Sequence, residues 1–159
     1  MTARRTLAEV PYTAEQMYAL VADIERYPEF LPWCVALRVT GRRVADEIEF
    51  LSSDMVVSYR VFREQFRSLV KLNRISRRID VEYVDGPFKS LTNSWRFQDG
   101  PDGGSTVDFS IAFEFRSLVL QATAQAVFEK AFLKMSDAFI ERAQAVYGAA
   151  LRRSPISGP

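Results

Sequence analysis

The chain has 159 residues, 48% of them hydrophobic and 26% charged, which suits one domain with a single buried core. Its 21 basic and 20 acidic residues leave a net charge of +1, so the molecule as a whole makes no electrostatic case for nucleic acid. There is no histidine and one cysteine, Cys34, which excludes Ser-His-Asp and Cys-His catalysis, imidazole or thiolate metal sites, and an intramolecular disulfide.

Twelve Phe, six Tyr and two Trp are more large flat side chains than a core of this size needs. Two readings stand, an aromatic-lined cavity or a bulky solid core. The single cysteine points to a reducing compartment. Residues 1–13 hold no signal-like apolar run, and no stretch approaches the roughly 18 apolar residues of a membrane-spanning helix. The expectation is a soluble cytoplasmic protein, with the inner membrane surface as a peripheral location. Neither an internal repeat nor a low-complexity segment is present, so residues 1–150 read as one domain. The Pro-, Ser- and Gly-rich segment 151–159, which includes Arg152 and Arg153, reads as a disordered tail.

In chain order, a first strand is expected at about Arg4–Val10, ended by Pro11. Thr13 with Gln16 three residues on forms a capping-box pattern, and Met17, Leu20, Val21 and Ile24 follow at helical spacing. Two prolines between Asp23 and Pro32 mark a broken second helix or turn. From Cys34 to Arg116 the period becomes two. Val35, Leu37 and Val39 alternate up to a turn at Gly41, and Ile48 and Phe50 come next, ahead of a loop near Asp54–Tyr59. Phe62, Phe66, Val70 and Leu72, then Ile79, Val81 and Tyr83, continue to the turn Asp85-Gly86-Pro87. Leu91, Trp95 and Phe97 precede the loop 99–104, and Val107, Phe109, Ile111, Phe113 and Phe115 complete the pattern. One face apolar and the other polar is the mark of a half-covered antiparallel meander. Leu118–Tyr147 then carries a continuous apolar stripe that includes Val127, Phe128, Ala131, Phe132, Met135, Phe139, Ala143 and Val146. At 1.5 Å per residue this helix spans roughly 45 Å, enough to cover the sheet. The fold class is therefore α+β, a seven-stranded antiparallel sheet gripping a long C-terminal helix.

Several segments resemble the coenzyme Q-binding branch of the START-like (polyketide cyclase/dehydrase) superfamily. They are the run from Tyr12 to Cys34 with its Tyr-Pro-Glu-Phe-Leu-Pro-Trp core, Val84–Leu91 with Asn93 and Trp95, Phe113–Ser117, and Ala138–Gly148. The resemblance covers roughly residues 4–148 without large gaps. It implies a helix-grip (START/Bet v 1-like) fold with a curved sheet and a ligand cavity under the helix. It also implies binding of ubiquinone or another polyprenyl lipid in support of respiration. The related bacterial ribosome association toxins imply an alternative, blocking the association of ribosomal subunits with the large subunit as partner. Older family labels imply a third, aromatic polyketide cyclisation.

For the cavity wall the candidates are Phe66, Trp95, Phe109, Ile111, Phe113, Phe128, Phe132, Met135 and Phe139, each of which is equally at home in plain packing. An isoprenoid tail needs little more than such a wall, at about 25 cal/mol per Å² of apolar burial. Asn93, Tyr59, Tyr83 and Arg96 are candidate partners for a polar head, although alternation puts Arg96 on the opposite face from Trp95. Meander parity gathers Met55, Val56, Val57, Asp85, Gly86, Pro87, Phe88, Leu118, Val119 and Leu120 at one end, and the family's strand order adds Trp33. This end reads either as a cavity mouth able to touch a membrane or as side chains closing the core. Likewise Asp85-Gly86-Pro87 is turn chemistry, with or without a gating role for Phe88.

The opposite end collects Arg42, Arg43, Arg74, Arg77 and Arg78. These read either as contacts to RNA phosphates or lipid headgroups, or as solvated residues paired with Asp46, Glu47 and Asp80. Glu82, Asp108 and Glu114 alternate with the apolar positions and so point outward, which leaves no acid or base forced inside. The expectation is a binding protein without catalytic residues, metal or catalytic cofactor, and without DNA as a partner.

Overall fold

The computed structural model describes residues 1–59 and 62–148. The expected tail at 151–159, with Arg152 and Arg153, lies outside the described residues. The element order is β1 (Thr2–Val10), α1 (Ala14–Ala22), a 3₁₀ turn (Ile24–Arg26), α2 (Tyr27–Phe30), β2 (Cys34–Ala45), β3 (Ile48–Tyr59), β4 (Phe62–Asn73), β5 (Arg78–Asp85), β6 (Phe88–Asp99), β7 (Ser105–Phe115) and α3 (Leu118–Tyr147). Seven antiparallel strands form one sheet in the order β1-β7-β6-β5-β4-β3-β2. Register irregularities in β2, at Arg67/Ser68 and at Phe88/Ser90 bend it, as bulges do. The long α3 lies on the apolar face that results, in the helix-grip arrangement expected from the sequence.

Local chemistry sets the ends of the helices. Thr13 Oγ1 accepts from Gln16 N at 3.0 Å and Gln16 Oε1 accepts from Thr13 N at 2.9 Å, the complete capping box. Ser117 Oγ caps α3 by accepting from Leu120 N, and Gly148 closes it with φ 74°. Two tyrosines tie that closing end down. The Tyr12 hydroxyl donates to Gly148 O at 3.0 Å and the Tyr147 hydroxyl donates to Gln16 O at 2.8 Å. Arg142 adds a bridge to Glu29 that joins α3 to α2.

Three boundaries differ from the sequence reading. β1 begins at Thr2, because Thr2 and Ala3 continue the ladder on Phe113 and Ala112. β2 runs through Gly41, and the chain reverses instead at Asp46-Glu47, whose φ values of 51° and 66° make the twist-matched two-residue hairpin turn. Gly41 falls at a register shift in β2, so the backbone bends there without turning. Asp54–Tyr59 belongs to β3 and is not a loop, since Met55, Val56 and Val57 pair with Phe66, Gln65 and Glu64. Ser53 precedes this segment at an inward position of the same strand. It is buried through a 3.2 Å hydroxyl–hydroxyl contact with Ser68 of β4.

Candidate functional site: an apolar cavity between sheet and helix

The core divides into two clusters. The larger runs from α1 and α2 across the sheet to the C-terminal half of α3, and the smaller joins Phe88, Leu91, Phe113, Phe115 and Ala124. Ile111 and Phe128 touch both. Between sheet and helix lies a cavity of about 260 Å³. All nine wall candidates from the sequence border it. Phe132 and Phe139 of α3 are buried, whereas Phe128 and Met135 between and beside them are only partly covered, which follows from their facing open space.

The wall is a lattice of edge-to-face and tilted rings. Trp95 meets Phe109 at 4.6 Å and Phe139 at 5.3 Å, Phe109 meets Phe132 at 5.6 Å, and Phe113 meets Phe128 at 5.4 Å. No Asp, Glu, Lys or Arg borders the cavity among the described residues. Its polar groups are few and mostly paired. Asn93 Nδ2 donates to Ser110 O at 2.9 Å and Asn93 Oδ1 accepts from Trp95 Nε1 at 3.2 Å. The Tyr27 hydroxyl donates to Val21 O, and burial pushes that phenol far above its usual pKa. Tyr83, another candidate head partner, spends its hydroxyl accepting from Phe88 N at 3.1 Å. Arg96 is exposed on the outer face, opposite Asp108.

Of the residues expected at the mouth, Trp33, Met55, Val57 and Phe88 border the cavity. The others do not. Val56 lies on the outer face because it alternates with Met55 and Val57 in a strand. Asp85, Gly86 and Pro87 form the turn beside the rim, held to β7 by Arg116 N donating to Pro87 O at 3.0 Å. Gly86 has φ 145°, and a Cβ there would sit 2.6 Å from Phe66 Cβ, so only glycine lets the turn close on β4. Phe88 is buried, stacked on Phe115 at 4.4 Å and edge-on to Phe66 and Tyr83. Leu118 and Val119 open α3 and are 85% and 75% exposed, while Leu120 turns inward onto the smaller cluster. The contribution of α2 and its flanks was not anticipated. Ile24, Tyr27 and Leu31 close the cavity on that side, and no periodicity marks so short and proline-broken a segment.

At the arginine-rich end the described arginines are largely paired with carboxylates, in part with partners other than those expected. Arg42 bridges Glu25 and Glu49, Arg74 and Arg77 share Glu15, Arg77 also reaches Asp99, and Arg78 holds Asp80 at 2.7 Å. Asp46 and Glu47 are not the partners. They form the β2–β3 turn, and the carboxylates come instead from α1, the 3₁₀ turn and neighbouring strands. Arg43 lies over the Phe50 ring. The expected acids behave as surface groups. Asp108 pairs with Arg5 at 2.9 Å and Glu82 with Lys71.

Comparison with known proteins agrees with this geometry. The family model described as polyketide cyclase/dehydrase and lipid transport matches residues 10–140. The ribosome association toxin RatA of Escherichia coli K12 is 34% identical over 143 residues, covering 89% of this chain and 87% of that protein. The mitochondrial coenzyme Q-binding protein COQ10 homolog B of Xenopus laevis is 29% identical over 141 residues, covering 86% of this chain but 56% of the frog protein. An 18 kDa Caulobacter crescentus protein solved in solution superposes with a TM-score of 0.79 at 34% identity, over 94% of this chain and all of that one. The Streptomyces Zhui aromatase/cyclase superposes at 0.78 with 14% identity, over 94% and 97% of the two chains, and so shares the fold. By sequence and by architecture alike, this chain belongs to the START-like polyketide cyclase/dehydrase and lipid-transport family.

Proposed function

We propose that the protein is a non-catalytic carrier of a hydrophobic small molecule, with ubiquinone or a related polyprenyl lipid as ligand, in support of respiratory electron transfer. One observation carries this reading, the aromatic cavity between sheet and helix with no Asp, Glu, Lys or Arg on its wall among the described residues. Such a wall recognises an apolar ligand by burial alone. Cyclase chemistry would need an acid or base with a shifted pKa beside the substrate, and the acids that alternate along β5 and β7 are engaged at the surface. The exposed Leu118 and Val119 at the start of α3 support transient contact with a membrane at the end where Phe88 and Trp33 border the cavity. Mass spectrometry of an organic extract of the purified protein should show a polyprenyl quinone in near-stoichiometric amount. A protein that is empty, and that takes up no quinone on incubation, would sink the proposal.

A second reading rests on the 34% identity to a protein named ribosome association toxin. Binding to the large ribosomal subunit would use the arginine-rich end, where Arg74 keeps 73% of its side chain exposed despite its bridge to Glu15. Co-sedimentation with large subunits that is lost when Arg74, Arg77 and Arg78 are replaced by Glu would establish it. The two readings separate cleanly, because filling the cavity should harm lipid binding and leave ribosome binding alone.

A further inference from the structure

Trp33 is the residue that leads into β2. Its carbonyl accepts from Ser58 N at 2.8 Å, which fixes the backbone against β3, and Trp33 is among the residues that border the cavity, as are Met55 and Val57. The indole N–H is shielded from solvent and has no hydrogen-bond partner among the described residues. This sets it apart from the other polar groups of the wall described above. Trp95 donates to Asn93, Asn93 to Ser110, Tyr27 to Val21 and the two serines to one another. A buried donor left unpaired destabilises the protein that carries it, and folded proteins rarely tolerate one without a compensating role.

We propose that the Trp33 indole N–H is the polar anchor of the cavity, donating a hydrogen bond to a carbonyl-type oxygen on the head of a neutral lipid. The inference rests on the carrier reading and narrows its ligand class. An indole can only donate, so the partner must be an acceptor, which a plain hydrocarbon lacks. With no Lys or Arg on the wall among the described residues, a carboxylate or phosphate head would be buried without a counter-charge, at a heavy desolvation cost. Neutral lipids bearing a ketone, quinone or ester oxygen satisfy both conditions. The anchor also fixes orientation, since it puts the head at the β2–β3 side and sends the tail along the aromatic wall under α3.

The test uses two probes of equal tail length, decylubiquinone and decylbenzene, with the native chain and the Trp33→Phe variant. The chain has two tryptophans, so ¹⁵N-labelled protein gives two indole N–H signals, with Trp95 as internal control. Decylubiquinone should move the Trp33 signal downfield, and decylbenzene should not. Trp33→Phe should weaken decylubiquinone by about fivefold to tenfold, the effect of one net hydrogen bond, and leave decylbenzene unchanged. Equal losses for the two probes, or a Trp33 signal that decylubiquinone does not shift downfield, would overturn the inference while leaving the carrier reading in place. Failure of the native chain to bind either probe would overturn the carrier reading and this inference with it. If the variant does not fold, the native spectrum alone decides.

Discussion

Ala131 sits on the inner face of α3 and borders the cavity between Phe128 and Met135. Replacing it with Trp puts an indole into a space of about 260 Å³. A cavity of about 150 Å³ is enough to hold benzene, so the larger indole would take more than half of the room. A quinone ring is comparable to the aromatic side chains that bury about 150–250 Å². Denying it that burial, at about 25 cal/mol per Å², costs about 4–6 kcal/mol. The expected loss of affinity for decylubiquinone is therefore about a thousandfold, and still about a hundredfold if the wall relaxes to recover a third of the area. Stability should hold or rise, because the new ring gains contacts that the void denies its neighbours. Isothermal titration with decylubiquinone, paired with thermal unfolding, reads both quantities. A folded Ala131→Trp protein that binds with native affinity would refute the assignment of this cavity as the ligand site. Should Trp prove too large to fold, Ala131→Leu provides a graded step with a smaller loss.

Gly86→Ala should lower stability by about 1–3 kcal/mol, or roughly 3–10 °C in Tm, because the new Cβ collides with Phe66 in a conformation that side chains avoid; an unchanged Tm would show that the turn relaxes freely. Replacing Leu118 and Val119 together with Asp should abolish binding to phospholipid vesicles in a flotation assay while shifting stability by no more than about 0.5 kcal/mol per site, since both side chains are exposed. Vesicle binding that survives would place the membrane contact elsewhere. Burial pushes the Cys34 thiol up to about 11. The native protein at pH 8 should therefore resist iodoacetamide for as long as it stays folded and react quickly in denaturant, and rapid labelling of the native state would contradict the packing around β2.

The sequence by itself determined the architecture, because each element reports its environment through a local period. The even and odd alternation of β6 and β7 put Trp95, Phe109, Ile111 and Phe113 on one face, and the stripe of α3 put Phe128, Phe132, Met135 and Phe139 opposite them. Capping chemistry at Thr13 and turn chemistry at Asp85–Pro87 were legible for the same reason, since their partners lie within a few residues. Three things needed the tertiary structure. The segment Asp54–Tyr59 read as a loop until its ladder to β4 appeared. Pairing at the arginine-rich end was legible for Arg78 and Asp80, two residues apart, whereas Glu15, Glu25 and Asp99 come from distant segments and replace the sequence-adjacent Asp46 and Glu47 as partners. The orphan donor on Trp33 is likewise invisible in sequence, because a missing hydrogen bond is a property of every group that surrounds it. Periodicity is local and can be counted along the chain. Satisfaction of polar groups and the shape of empty space depend on contacts between residues far apart in sequence, and only the folded arrangement decides them.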